Sequence, residues 1–141
     1  MYNRNLKAYK TTSLEAELSI ADPHRVIQML MQGLLERLAQ AKGAVERRDY
    51  AAKSASISKS MAIINGLQDS LDLSYGKIPE DLYALYDYMK DRLMDASLNM
   101  MLEPIEEVAN LVVTIKSAWD AIPQDEKENA FAQKRTKEGE L

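Results

Sequence analysis

Apolar residues recur along most of this chain at steps of three and four, the spacing of helices packed on one face. Between Asp22 and Val45, a stripe of Ile27, Leu30, Leu34, Leu38, Ala41 and Val45 faces one way. Arg25, Gln28, Gln32, Glu36 and Gln40 form a narrow polar strip opposite. Met31 and Leu35 widen the apolar stripe on one side, and Val26, Met29 and Gly33 on the other. A surface helix needs an apolar arc of only about 100°, so this helix predicts cover on more than one side. Asp22 is suited to cap it, and Pro23 fits its first position.

The rest of the pattern is also helical. Thr12 and Glu15 have capping-box spacing and predict a short helix to about Ile20. Asp49 predicts the start of a helix through about Leu73, with Tyr50, Ile57, Ile64 and Leu71 repeating on its core side beside Met61 and Leu67. Its other side aligns Ala51, Ala55, Ser58, Ala62 and Gly66. That strip is either a tolerant solvent face or a shallow floor on which another helix can lie. Pro79 opens a further helix whose stripe is Leu82, Leu85, Tyr86, Met89, Leu93, Ala96 and Met100, while Tyr83, Met94, Leu98 and Met101 lie off it as a second apolar surface. Pro104 opens the last, with Ile105, Val108, Val112, Ile115 and Trp119 on one face. No segment alternates with the period of a strand. The expected fold is all-α: an antiparallel four-helix bundle with an additional short N-terminal helix, spanning 12–122. A flexible tail is expected at 1–11 and a charged, flexible one at 123–141.

Composition removes several functions. The chain has 141 residues, no cysteine, one histidine and a net charge of −4. Disulfides and thiolate metal sites are excluded, and no basic footprint marks a nucleic-acid binder. The N-terminus has no apolar signal region and no run is long enough for membrane insertion, so a cytoplasmic protein is expected. A lone His24 cannot build a di-iron or zinc centre and is expected on the surface at a helix start. The acid pairs Glu80–Asp81 and Glu106–Glu107 fall in first turns, where the helix dipole accounts for them. No catalytic constellation, metal site or cofactor motif emerges, so no enzyme is expected.

Several stretches read in order resemble the FliS family of flagellin export chaperones. They are Ala8-Tyr9; Asp22-Pro23-His24-Arg25-Val26-Ile27-Gln28-Met29-Leu30 with Gly33; Ile57-Ser58-Lys59-Ser60 with Ile63-Ile64, Leu67 and Ser70-Leu71-Asp72; and Leu82 through Leu93 with Ile105-Glu106-Glu107-Val108 and Ala118-Trp119. The chain departs from the family's frequent residues at Met31-Gln32, Ser97 and Met101. The resemblance implies a cytosolic chaperone that binds the C-terminal segment of flagellin, prevents premature polymerisation and docks at the export gate protein. It also implies that tail residue Tyr9 covers part of the binding surface before the client arrives. The expected partner-binding residues are Tyr9, Val26, Met29, Ala55, Ala62, Ile63, Met94 and Met101. The residues themselves leave two alternatives open: a self-associating structural bundle, dimeric without a client, or a small helical enzyme.

Overall fold

The computed structural model describes residues 22–122. The helix expected at Thr12–Ile20 and the tails at 1–11 and 123–141 lie outside them. Four helices account for most of the described chain: α1 (Pro23–Glu46), α2 (Tyr50–Asp69), α3 (Lys77–Asn99) and α4 (Glu103–Asp120), with one 3-10 turn at Leu73–Tyr75. No strand occurs among the described residues. Residues 28–121 form one compact unit, while 22–27 and Ile122 belong to another.

The helix ends follow local chemistry. Asp22 accepts the Arg25 N–H at 2.8 Å, and Asp49 accepts the Ala52 N–H at 3.1 Å, each satisfying a first-turn donor. α1 closes with a complete Schellman motif. Arg48 takes the left-handed conformation (φ 54°), the Asp49 N–H reaches Ala44 O at 2.9 Å, and the Arg48 N–H reaches Val45 O at 3.1 Å. α2 stops at Asp69 rather than near Leu73, because Asp72 starts its own turn by accepting the Ser74 N–H. α3 begins at Lys77, ahead of Pro79, which still lies in the first turn where a missing N–H is not felt.

Side-chain bonds define the topology. From α2 to α3, Lys53 reaches Ser97 while Gln68 reaches Tyr83 and Asp87, so low numbers on one helix meet high numbers on the other. From α1 to α4, Lys42 pairs with Glu106 at 3.4 Å and Gln28 donates to Asp120 at 2.8 Å, with the same reversal. Tyr88 and Arg92 of α3 both engage Glu107 near the start of α4. α1 meets α2 at Gly33, where an added Cβ would lie 3.8 Å from Ile63 Cδ1. Each helix runs antiparallel to its neighbours around the ring.

The core is a set of alternating three- and four-residue steps, the seam of left-handed helix packing. Met31, Leu34, Leu38, Ala41 and Val45 supply it from α1; Ile57, Ile64 and Leu67 from α2; Tyr86, Met89, Leu93 and Ala96 from α3; Ile105, Val108 and Val112 from α4. Several details differ from the sequence reading. Met31, not Leu30, centres the α1 stripe, and Leu30 is half-buried. Tyr50 is 59% exposed, because the first position of α2 lies at the end of the bundle. Leu71 falls beyond the end of α2 and is only half-buried. His24, expected at the surface, is buried at 3% exposure.

Tyr86 ties this core to pH. Burial pushes its phenol up to about 12 from 10.0, since removal from water disfavours phenolate. The unfolded chain therefore releases this proton first as pH rises. The stability Tyr86 contributes is fully present below pH 10 and is lost between there and about 12. Melting temperatures across this range should fall more steeply for the native chain than for Tyr86→Phe. Parallel curves would show that Tyr86 does not govern the alkaline limb.

Candidate partner-binding surface

The outward face of α2 is made almost entirely of short side chains. Ala51, Ala55, Ser58 and Ala62 are exposed and Gly66 half-buried, because the core takes the opposite side of the helix. This shallow floor is bordered on both sides. Towards α1, Ile63 is half-buried and sits against Gly33, one turn from the half-buried Met29. Towards α3, the border is the helix edge that carries Asp87 and Lys90 and continues through Met94 and Leu98, with Met101 just beyond the helix end. Met94 and Leu98, 46% and 75% exposed and four residues apart, share one side of α3, and Met101, 41% exposed, extends this apolar row just past the left-handed turn at Met100. Tyr83 opens the same edge at 39% exposure.

A polar lock holds α2 against α3 beneath this edge. Gln68, only 5% exposed, donates to Tyr83 O at 3.1 Å and Asp87 Oδ1 at 2.7 Å. Lys90 donates to Gln68 Oε1 at 2.7 Å and Asn65 Oδ1 at 2.9 Å. The Gln68 hydrogen bond, helped by Lys90 against some desolvation, holds the Asp87 carboxyl below its ordinary range. At the far end Lys53, 9% exposed, donates through Nζ to Ser97 O at 2.9 Å and Oγ at 3.3 Å. Satisfied buried polar groups of this kind fix the register of two helices.

Of the residues singled out in the sequence, Ala55 and Ala62 lie on the α2 floor, Ile63 and Met29 border it towards α1, and Met94 and Met101 border it towards α3. Val26 is half-buried in the first turn of α1. Tyr9 lies outside the described residues. Leu98 is absent from that set although it is the most exposed member of its row. Its spacing between Met94 and Met101 was the available signal. The polar members of the α2 seam, Lys53, Ser56, Ser60 and Gln68, were also missed.

Elsewhere the surface is ionic. A shallow depression on α4 is lined by Glu103, Glu106, Glu107, Asn110, Leu111 and Thr114. Two of its glutamates are already engaged: Glu106 with Lys42 and Glu107 with Arg92 and Tyr88. The bond to Glu107 also raises the Tyr88 phenol above its ordinary value. Among the described residues no cluster of three or more acidic or histidine side chains could hold a metal ion. None of the described helices is long and apolar enough to cross a membrane.

Comparison with known proteins places this architecture. The sequence model of the family described as flagellar protein FliS matches residues 5–126. The chain is 45% identical over 118 residues to flagellar secretion chaperone FliSB of Pseudomonas aeruginosa, covering 83% of this chain and 94% of that protein. It is 40% identical over 119 residues to flagellar secretion chaperone FliS of Salmonella typhimurium, covering 83% and 88%. Against the Vibrio cholerae protein of the same name, identity is 36% over 122 residues, covering 86% and 90%. With a helical bundle throughout its described length and these matches over most of its sequence, the chain belongs to the FliS family of flagellar export chaperones and is not an enzyme.

Proposed function

We propose that this chain binds the C-terminal segment of flagellin, keeps it from polymerising early and carries it to the export gate. The observation that carries the proposal is the apolar row Met94, Leu98 and Met101 beside the small-residue face of α2. A floor without long side chains lets a helix approach closely, and methionines adapt to varied partner surfaces. An amphipathic client segment gains its helix only on docking, so the complex is reversible as well as specific. The names of the family's relatives and the resemblance to flagellin chaperones support this client.

The test is titration of a labelled peptide spanning the flagellin C-terminal segment. Saturable binding should bring a gain in helical circular dichroism beyond the sum of the two components, together with slower flagellin polymerisation by light scattering. No binding, combined with concentration-dependent sedimentation of the chain alone, would replace the chaperone reading with self-association through the same face.

A further inference from the structure

We infer that Lys53 acts as a positioning residue for the client surface: by capping the last turn of α3, it fixes where Leu98 and Met101 are presented. This rests on the proposed client face. The two ends of the bundle hairpins make the case by comparison. After α1, the left-handed residue Arg48 gives its N–H to Val45 O while the next N–H reaches back to Ala44 O, so both terminal carbonyls are satisfied. After α3, Met100 takes the same conformation (φ 50°, ψ 48°), and the Met101 N–H makes the corresponding long bond to Ala96 O at 3.1 Å. The second bond is different. The Met100 N–H also goes to Ala96 O, which leaves the Ser97 carbonyl without the partner this motif normally supplies.

Lys53 fills that place from the neighbouring helix. Its Nζ lies 2.9 Å from Ser97 O, and no carboxylate among the described residues pairs with it. The lysine occupies a seam position of α2, one turn before Ile57, so its methylene stem is held by packing and its head points at the end of α3. A cation there also complements the partial negative charge of the helix C-terminus. Leu98 follows the capped residue directly, and Met101 is held by the turn just beyond it. Leu98, the most exposed member of the apolar row, and Met101 beyond it are therefore anchored through one ammonium group.

The experiment measures flagellin C-terminal peptide affinity and amide exchange for the native chain, Lys53→Met, Lys53→Arg, Ser97→Ala and the control Lys77→Met, which removes an exposed charge at the far end of α3. Lys53→Met keeps the stem but not the donor. It should bind the peptide about five- to tenfold more weakly, as expected when part of a charge-assisted hydrogen bond is felt at the interface. Exchange should accelerate at the Met100 and Met101 amides and not in the middle of α2 or α3. Lys53→Arg should retain most of the affinity. Ser97→Ala, which keeps the carbonyl, should stay within about twofold of native on the same reasoning. Native affinity in Lys53→Met, unchanged exchange at Met100 and Met101, or an equal loss in Lys77→Met would each overturn the assignment. Should Lys53→Met fail to fold, acetylation of the native chain decides: Lys53 reacting as fast as Lys77 means the cap is not formed. If the native chain does not bind the peptide at all, the client reading fails, while amide exchange still judges the cap.

Discussion

Leu93→Ala should lower the unfolding free energy of this chain by about 2–5 kcal/mol, the range for emptying a fully buried leucine site. Leu93 has 0% exposure and sits in the middle of the α3 seam, where helix packing leaves little room to collapse around a void. Domains of this size are stable by only about 5–15 kcal/mol, so one such change removes a large share of the total. Urea unfolding followed by circular dichroism should show a lower midpoint with an unchanged slope, since the surface exposed on unfolding is nearly the same. Leu98→Ala, only five residues further along α3 and 75% exposed, is the contrast and should stay within about 0.5 kcal/mol of native. Equal losses in the two variants would mean that the seam has been assigned to the wrong side of α3.

The assignment of Leu93 was legible from spacing alone, and so was most of the bundle. Helix period and cap chemistry identify α1, α3 and α4 because their seam positions are occupied by apolar residues almost without interruption. α2 is harder for a physical reason. Its seam runs Lys53, Ile57, Ser60, Ile64 and Leu67, and two of those five positions are polar. A pattern search takes such residues for solvent face and extends the repeat to the ends instead, which is how Tyr50 and Leu71 enter the expected core. Only the fold shows why a lysine or serine can sit there: Lys53 finds Ser97 O on α3, and Ser60 donates back along its own helix to Ser56 O at 2.9 Å. Helix termini mislead in the other direction. His24 looks exposed because it stands at a helix start, yet local position says nothing about what tertiary packing covers.

The candidate surface was legible in part for a related reason. A strip of small residues and an off-seam row of methionines can be read from a helical wheel, but which strip borders which row depends on the order of helices around the ring. The α2–α3 bonds of Gln68 and Lys90 supply that order, bringing Ala55 and Ala62 alongside the edge that leads to Met94 and Met101. They also promote Leu98 from an incidental exposed residue to the centre of the row. Its spacing from Met94 sets it on the off-seam surface, but the same spacing is compatible with an ordinary exposed leucine until the neighbouring helix is placed.

Leu98→Asp and Ala62→Glu should each weaken flagellin-peptide binding by about 10- to 100-fold, the largest functional effects expected of single changes here. For Leu98 the loss has two parts. Fully burying a leucine is worth about 1.5–3 kcal/mol, and an aspartate in its place must be desolvated against an apolar client. For Ala62 the cause is steric as well as electrostatic: a glutamate stands up from a floor whose value lies in its shortness. Neither change should disturb the bundle, because Ala62 is exposed and Leu98 is largely so. Circular dichroism and the urea midpoint should therefore remain near native while the peptide titration shifts. Val113→Asp, at a 49% exposed position on the outer side of α4, introduces the same charge away from the proposed face and should bind normally. If Leu98→Asp and Ala62→Glu both bound at native strength while Val113→Asp lost affinity, the client would lie along α4. The small-residue face of α2 would then be what its composition also allows, a permissive solvent surface.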